Sequence, residues 1–264
     1  MNILKTLGLI ALFAFNFYQA QMDDKFYQPW KEMKPFEMKI SENISFPVEK
    51  DTITAYVAKP SVKSNNKTIL FFHGAGGNVT TYQYITKPLV EVGYQVVMID
   101  VRGYGKSTGV PTHINIAEDS QKLFDFLMTK PEIKDTKIYI YSASLGSQIA
   151  AHLAKDNKSK LSGLIIDGGM SSFADIASKF APQFKSFIES SLAGVYSAKE
   201  DLKATEGLPK LFIYTKKDST VPFSHGESNF SNAAEPKVFL EAGNEHIQAM
   251  KDETAKVLEA IGNL

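Results

Sequence analysis

The chain contains 264 residues, in which 29 lysine and arginine side chains balance 29 aspartate and glutamate side chains. This balance, without a long run of one charge, argues against binding to nucleic acid or to an acidic membrane surface. The absence of cysteine excludes thiol catalysis and cysteine-based zinc sites, and the five histidines show no close-spaced metal-ligand pattern.

The first twenty residues have the layout of a secretory signal peptide. Lys5 precedes an apolar run from Leu7 to Phe17, and the small residue Ala20 follows. The run is shorter than the roughly 20 residues that a membrane span needs. The sequence therefore predicts a signal peptide over residues 1–20, cleavage after Ala20, and a secreted or periplasmic chain without a stable membrane span. An uncleaved N-terminal anchor is the alternative.

Strands and helices alternate after a polar lead-in over residues 21–42. The predicted strands are 44–49, 52–58, 68–72, 95–100, 137–141, 164–166, 210–215 and 237–241. The predicted helices are 80–91, 115–128, 145–156, 175–204 with a break at Pro182, 224–232 and 245–261. Two paired strands followed by this alternation predict an α/β domain over residues 43–264, with a mostly parallel sheet of about eight strands covered by helices on both faces. Functional residues of such sheets gather after the carboxyl ends of the strands.

The strand from Lys137 ends at Ser142-Ala-Ser-Leu-Gly146, directly before a predicted helix. The motif matches the nucleophile elbow Gly-x-Ser-x-Gly, except that Ser142 replaces the first glycine. In this turn a strained backbone, costing about 1–3 kcal/mol, lifts one side chain into the site, and the neighbours two positions away must be small. Since Ser142 and Gly146 are both small, Ser144 is a candidate nucleophile. A plain serine-rich turn is the alternative.

A glycine-rich loop, His73-Gly-Ala-Gly-Gly, follows the third strand. Such a loop can bring the backbone N–H of Ala75 close to a substrate oxygen, where the N–H of Leu145 would join it in an oxyanion hole. A phosphate-binding loop is the alternative, although the motif lacks both a Gly-Lys-Ser/Thr ending and a complete Gly-x-Gly-x-x-Gly.

A serine hydroxyl needs a base, and the base needs an orienting carboxylate. His246 follows the last strand and Asp218 follows the strand before it, so the chain order Ser144, Asp218, His246 is that of α/β-hydrolases. Asp167 also ends a strand and is the rival acid. Among the other histidines, His225 opens a predicted helix and is interpreted as a surface or capping residue.

These stretches, together with Asp100-Val-Arg-Gly-Tyr-Gly-Lys-Ser107 and the segment from Lys217 to Gly226, resemble the α/β-hydrolase superfamily over nearly all of the chain after the signal peptide. The resemblance is greatest to small-cap serine hydrolases of the serine aminopeptidase-like and depalmitoylase-like branch. It implies an α/β-hydrolase fold with a short helical cap, inserted at about residues 171–207. It also implies structural roles for Asp100 and Arg102.

The resemblance further implies Ser144 as nucleophile, Asp218 as acid and His246 as base, with Ala75 and Leu145 as backbone donors. Two residues depart from the family pattern. Ser142 stands where glycine is usual, and Glu245 precedes the histidine, where a carboxylate could redirect the imidazole ring.

The predicted chemistry is cleavage of a carboxylic ester or thioester through an acyl-serine, with no cofactor. The cap contains an apolar stripe that either packs onto the sheet or lines an acyl pocket. Its members are Phe173, Phe180, Phe184, Phe187, Ile188 and Leu192. A pocket would suit a small-molecule or lipid-like acyl substrate, or an acylated protein.

Two alternatives remain for the function. An aminopeptidase would need an acidic group for the free amino terminus, which Glu189, Glu200 or Asp201 of the cap could supply. A catalytically silent binding protein would keep its biological function without Ser144.

Overall fold

The computed structural model describes residues 22–264, and eight strands of this part form one sheet. The strands are β1 Ile40–Val48, β2 Asp51–Ala58, β3 Lys67–Phe72, β4 Gln95–Asp100, β5 Lys137–Ala143, β6 Gly163–Asp167, β7 Lys210–Tyr214 and β8 Lys237–Glu241. Their order is β8-β7-β6-β5-β3-β4-β2-β1. The β1–β2 and β2–β4 pairs are antiparallel, and the other pairs are parallel. The predicted mostly parallel sheet is therefore confirmed.

Helices cover both faces of the sheet. Those of seven or more residues are α1 Gln83–Glu91, α2 His113–Leu127, α3 Gly146–Asn157, α4 Phe173–Phe180, α5 Lys185–Ser191, α6 Phe223–Asn232 and α7 Thr254–Gly262. Shorter helical segments are Val79–Tyr82, Pro131–Lys134, Lys158–Lys160, Pro182–Phe184, Ala198–Asp201, Leu202–Ala204, Ala249–Asp252 and residues 22–26. Helices α1 and α7 pack on one face, and α2, α3 and α6 pack on the other.

The central strands are apolar on both sides because both sides are covered. Along β3, Ile69 and Phe71 join the core under α1 and α7, whereas Leu70 and Phe72 join the core under α2 and α3. All four side chains are almost completely buried. Continuous apolar runs of this kind are typical of parallel strands inside an α/β sheet.

The chain changes direction across the sheet between β3 and β5. From β3 it passes through α1 to β4 on one side, and from β4 it passes through α2 to β5 on the other side of β3. The turns after β3 and β5 therefore diverge and leave a crevice at the carboxyl edge, where ligands bind in open α/β sheets.

The first strand begins earlier than the predicted residue 44. β1 starts at Ile40, which pairs with Ala58 of β2, and the register shifts between Ile40 and Glu42. The end of the predicted 21–42 lead-in is therefore strand. β1 lies at the edge of the sheet with several exposed positions, so its apolar pattern is weak.

The prediction of one long C-terminal helix over residues 245–261 was wrong. The chain forms a turn after His246, a short helix Ala249–Asp252, and α7 only from Thr254. The break occurs because two carboxylates fold back onto the preceding loop. Glu253 Oε1 accepts the Gly243 N–H at 2.7 Å, and Asp252 Oδ2 accepts the Asn244 N–H at 2.8 Å.

The cap consists of short helices instead of one long stretch over residues 175–204. The Ser172 side chain accepts the Asp175 N–H and starts α4 at Phe173, two residues before the predicted start. Pro182 begins a 3₁₀ turn, which leads into α5. The cap contributes Phe173 and Leu192 to the core and leaves other aromatic side chains for the surface above the crevice.

Candidate active site

Ser144 stands in a left-handed turn between β5 and α3. Its φ angle is 52°, a conformation that side chains other than glycine rarely adopt. The Ser144 N–H donates to the Asp167 carbonyl at 2.8 Å, which ties the turn to the end of β6. A Cβ on Gly146 would lie 2.5 Å from the Phe72 carbonyl oxygen, so only glycine fits where α3 passes the end of β3.

The serine at the position of the usual first glycine fits its surroundings. Ser142 is completely buried, and its Oγ donates to the Ile165 carbonyl on the neighbouring strand at 3.1 Å. A buried hydroxyl with a partner costs little, so the substitution leaves the turn intact.

His246 connects Ser144 to Asp218. Its Nε2 lies 2.9 Å from Ser144 Oγ, and its Nδ1 lies 2.6 Å from Asp218 Oδ2. Because a carboxylate only accepts hydrogen bonds, Nδ1 carries the ring hydrogen and Nε2 is free to accept the serine proton. Both ring nitrogens thus have a defined role, and Glu245, which is exposed, does not redirect the ring.

The turn after β7 fixes the Asp218 carboxylate. Its Oδ1 accepts the N–H groups of Thr220 and Val221, each at 2.8 Å. The Asp218 side chain is 2% exposed and the His246 side chain 17% exposed. The carboxylate is therefore held in one orientation, while the imidazole reaches the crevice.

Asp167, the rival acid, lies beside this group and binds a different partner. Tyr141 donates its hydroxyl to Asp167 Oδ2 at 2.7 Å, and burial raises the pKa of Asp167 to about 6. The structure brings Asp218, and not Asp167, into hydrogen-bond contact with His246.

The loop after β3 runs beside Ser144. The Ala75 carbonyl accepts hydrogen bonds from the Tyr104 hydroxyl at 2.6 Å and from the Gln28 N–H at 3.0 Å. Among the described residues, no group accepts a hydrogen bond from the N–H of Ala75 or from the N–H of Leu145. Ala75, Ser144 and Leu145 line one cavity, so both donors remain available at the serine.

His73 stabilises the glycine-rich loop after β3. It is completely buried, its Nδ1 donates to the Gly74 carbonyl at 2.8 Å, and its Nε2 accepts the Val101 N–H at 3.4 Å. Burial lowers the pKa of His73 to about 4, so the ring is neutral at pH 7. It is a structural group and not a second base.

Asp100 braces the segment that follows the glycine-rich loop after β3, and Arg102 braces the loop that follows β4. Asp100 Oδ1 accepts the Val79 N–H at 2.8 Å, and Arg102 binds Asp119 through two nitrogens, at 2.7 and 2.9 Å. Arg102 also binds Asp51 at 2.6 Å. These contacts agree with the structural roles that the resemblance implied.

A cavity of about 710 Å³ opens in front of Ser144. Its size lies within the range of about 300–1,000 Å³ that is usual for small-molecule sites. The cap supplies much of its apolar wall, through Ile176, Ala177, Phe180, Ala181, Phe184, Phe187 and Ile188. Within the apolar stripe of the cap, Phe173 and Leu192 pack in the core, whereas Phe180, Phe184 and Phe187 line the cavity. Ile188 does both.

Two contributors to the site were missed from the sequence. The first is the segment after the predicted signal peptide, from which Met22, Lys25 and Phe26 line the cavity. The second is Gly168, with φ 58°, where a Cβ would lie 3.2 Å from the His246 ring. The glycine pair after β6 was a visible signal for the second, because such pairs mark a close approach at a strand end.

The described residues 22–264 contain no helix that is both long enough and apolar enough to cross a membrane. The predicted signal peptide over residues 1–20 lies outside the described residues.

A mostly parallel sheet with a serine on a strand-turn-helix elbow, opposite a histidine and a carboxylate on later strand ends, is the arrangement of an α/β-hydrolase. A family model described as serine aminopeptidase, S33, matches residues 63–203, which is more than half of the chain. The chain therefore belongs to this serine aminopeptidase S33 family of the α/β-hydrolase superfamily, as the sequence resemblance indicated.

Similarity to known proteins extends beyond the family model. The uncharacterized protein YfhR of Escherichia coli (strain K12) is 26% identical over 252 residues, which cover 92% of this chain and 84% of that protein. Lysophosphatidylserine lipase ABHD12 of Mus musculus is 26% identical over 196 residues, which cover 68% of this chain and 48% of that protein. The solved structure of the esterase Pf2001 from Pyrococcus furiosus superposes with a TM-score of 0.70 at 15% identity, covering 90% of this chain and 96% of that one.

Proposed function

We propose that this protein is a serine hydrolase that cleaves carboxylic ester or thioester bonds through an acyl-serine intermediate. The observation that carries the proposal is the continuous hydrogen-bond chain from Asp218 through His246 to Ser144, which ends at the wall of an apolar cavity. Membership of a hydrolase family, a relative named as a lipase and a structural neighbour named as an esterase support it.

In the first step, Ser144 Oγ attacks the substrate carbonyl carbon while its proton passes to His246 Nε2. Asp218 accepts the hydrogen bond from His246 Nδ1–H throughout and stabilises the imidazolium that forms. The carbonyl π electrons move to its oxygen, which gives a tetrahedral oxyanion. His246 then protonates the leaving alcohol or thiol, and the acyl group stays on the serine.

The oxyanion is stabilised by the N–H groups of Ala75 and Leu145. Each donor of this kind typically contributes about 2.7–4 kcal/mol to the barrier reduction. The Ala75 N–H shares its peptide plane with the Gly74 carbonyl, which His73 Nδ1 holds at 2.8 Å. The Tyr104 hydroxyl, at 2.6 Å from the Ala75 carbonyl, holds the next peptide of the loop. Fixed donors cost no reorganisation during the reaction.

In the second step, His246 takes a proton from water, whose oxygen attacks the acyl-serine carbonyl. A second oxyanion forms at the same donors and collapses. The carboxylic acid leaves, and the proton returns to Ser144. The two steps need no metal or organic cofactor.

The cavity favours esters with apolar acyl groups on small molecules, lipids or acylated proteins. A peptide amino terminus would need a carboxylate close to the serine. The residues that line the cavity include no acidic side chain in the described part of the chain, and their one charged side chain is Lys25.

The cap carboxylates that could have bound an amino terminus lie elsewhere and pair with cations. Glu189 lies 3.8 Å from Lys185, and Glu200 lies 2.8 Å from Lys203. Asp201 lies 3.1 Å from Lys155. We therefore expect an acyl ester to be cleaved faster than an aminoacyl-anilide of similar size, and the opposite order would favour an aminopeptidase.

The deciding experiment is labelling of the purified protein with a fluorophosphonate probe, followed by peptide mapping. We expect the label on Ser144 and its loss in Ser144→Ala and His246→Ala. Ser142→Ala is the matched control, because it removes a buried hydroxyl two residues away. Folded protein that takes no label would instead indicate a catalytically silent binding protein.

The cellular location is proposed from the signal-peptide pattern of residues 1–20. The proposal is that the mature chain begins at Gln21 and acts in the periplasm or outside the cell. Mass spectrometry of the N-terminal peptide of protein from the producing cell tests it, and a retained N-terminus would support the anchor alternative.

A further inference from the structure

A second pocket, of about 470 Å³, lies on the other side of α4 from the apolar cavity in front of Ser144, which is called the acyl cavity below after its proposed role. Ala177 and Phe180 of this helix face the cavity, whereas Asp175, Ser178 and Lys179 face the pocket. Helix α6 closes the pocket from the side of the sheet. The cavity in front of Ser144 is lined mainly by apolar side chains, whereas the second pocket is lined mainly by charged and hydroxyl side chains.

The lining carries an excess of positive charge. It contains Lys179, Lys185 and Lys199 against the single carboxylate of Asp175. Lys199 binds that carboxylate at 2.7 Å, so one cation is neutralised. Lys185 lies 3.8 Å from Glu189, with both side chains more than half exposed, and such a pair is weak in water. Lys179 lies 3.4 Å from the Ser219 carbonyl, which is a neutral acceptor and leaves its charge uncancelled. Lys179 and Lys185 therefore both bring positive charge to the pocket, and Glu189 reduces that of Lys185.

Neutral donors point to the same space. Ser178 Oγ is buried and has no hydrogen-bond partner among the described residues. His225 Nδ1 is engaged by Ser171, at 2.8 Å from its Oγ and 3.2 Å from its backbone nitrogen. Burial lowers the pKa of His225, so the ring adds no charge to the pocket at pH 7. Ser224 and Ser228 add two hydroxyl groups.

The N-terminus of α6 adds to this potential. The helix is ten residues long, its N-cap is Pro222, and no side chain caps its first N–H groups. Pro222, Ser224 and His225 all line the pocket. The His225 N–H donates to the Pro222 carbonyl at 2.9 Å, which leaves the Ser224 N–H at the positive end of the helix dipole. Such an end favours an anion, and here two lysines and a buried hydroxyl line the same space.

We propose that this pocket binds a phosphoryl group. A phosphate monoester carries close to two negative charges and three strong acceptor oxygens, which match the ammonium groups of Lys179 and Lys185 and the hydroxyl and amide donors. Because its ligands come from α4, α5 and α6, the bound anion ties the cap to the body of the protein beside the acyl cavity. The pocket is larger than inorganic phosphate, so it also has room for a group attached to the phosphoryl.

The test is isothermal titration of the whole protein with inorganic phosphate and with glycerol 3-phosphate at low chloride. We expect saturable binding that weakens by at least about tenfold in the Lys179→Gln/Lys185→Gln variant, because two charge interactions are lost. The matched control is Lys122→Gln/Lys160→Gln. Lys122 forms an i,i+4 pair with Glu118 at 3.9 Å, much like Lys185, and neither control lysine lines the pocket.

Binding is measured in Ser144→Ala as well, so the proposal stands or falls independently of the hydrolase proposal. Equal affinity of wild type and the Lys179→Gln/Lys185→Gln variant, or no saturable binding by wild type, would overturn it. Hydrolysis then identifies the source of the phosphoryl group. A tenfold preference for a glycerophosphate ester over a neutral ester of the same acyl chain assigns it to the substrate, and binding without that preference assigns it to free phosphate.

Discussion

Filling the acyl cavity from the cap should shorten the acyl chains that the enzyme accepts. Ala177 lies on the face of α4 that lines the cavity, and Phe184 and Ile188 of the following cap segments line it too. In the wild type, each methylene that enters the cavity contributes about 0.8 kcal/mol, so kcat/KM should rise about fourfold per added methylene until the cavity is filled. In Ala177→Trp, the indole occupies space that the distal part of a long chain would use.

The size of the effect follows from the same increment. If the indole displaces about four methylenes, the loss is about 3 kcal/mol, or about 200-fold in kcat/KM for a twelve-carbon ester. A four-carbon ester, which stays close to Ser144, should lose less than about threefold. The ratio of the two rates therefore reports the cavity and not general damage to the site.

The assay is hydrolysis of a series of p-nitrophenyl esters from two to twelve carbons, below the concentration at which they form micelles. Ala193→Trp is the matched control, because Ala193 is exposed on the cap and does not line the cavity. A flat chain-length profile in the wild type would refute the acyl-pocket reasoning. An equal loss for short and long esters in Ala177→Trp would show that the helix acts on the catalytic groups instead.

Three further substitutions test residues that surround the catalytic groups and hold them in place. Gly146→Ala places a Cβ 2.5 Å from the Phe72 carbonyl oxygen, so the elbow must shift and kcat/KM should fall by about 100-fold while circular dichroism stays unchanged. Tyr104→Phe removes the hydrogen bond to the Ala75 carbonyl; kcat should fall with little change in KM, and urea denaturation should show a loss of about 1 kcal/mol. Asp167→Asn removes a carboxyl group whose pKa burial raises to about 6, above its unfolded value. The folded state of the wild type thus gains stability as pH falls through 6, by about 1 kcal/mol between pH 7.5 and 5, and urea denaturation at both pH values should show this gain reduced in the variant.

The sequence allowed prediction of the groups that now lie together because each follows the carboxyl end of a strand. Ser144, Asp218 and His246 follow β5, β7 and β8, and the carboxyl ends of these strands meet at one edge of the sheet. Order along the chain, turn residues and apolar strand runs are local signals. The topology of a mostly parallel sheet then converts them into spatial proximity.

Features that depend on distant contacts were not predictable in this way. The helix predicted over residues 245–261 was wrong because Asp252 and Glu253 bond to the backbone of the preceding loop, which propensity does not report. His225 was interpreted as a surface or capping residue, yet it is buried against Ser171, 54 residues away. The division of the cap aromatics between core and cavity likewise depends on where the cap lies, not on their spacing.

The departures from the family pattern show which features of the sequence the chemistry requires. Ser142 is tolerated because its hydroxyl has a carbonyl partner on β6, and Glu245 is tolerated because both nitrogens of the neighbouring His246 are already engaged. Neither residue touches a reacting atom. Gly146 and Gly168, by contrast, stand where a single added carbon would meet the Phe72 carbonyl or the His246 ring. The arrangement of serine, histidine and aspartate therefore depends less on the consensus around them than on these two positions. The missing side chain lets α3 start beside the end of β3 at Gly146, and at Gly168 it makes room for Ile247 and His246.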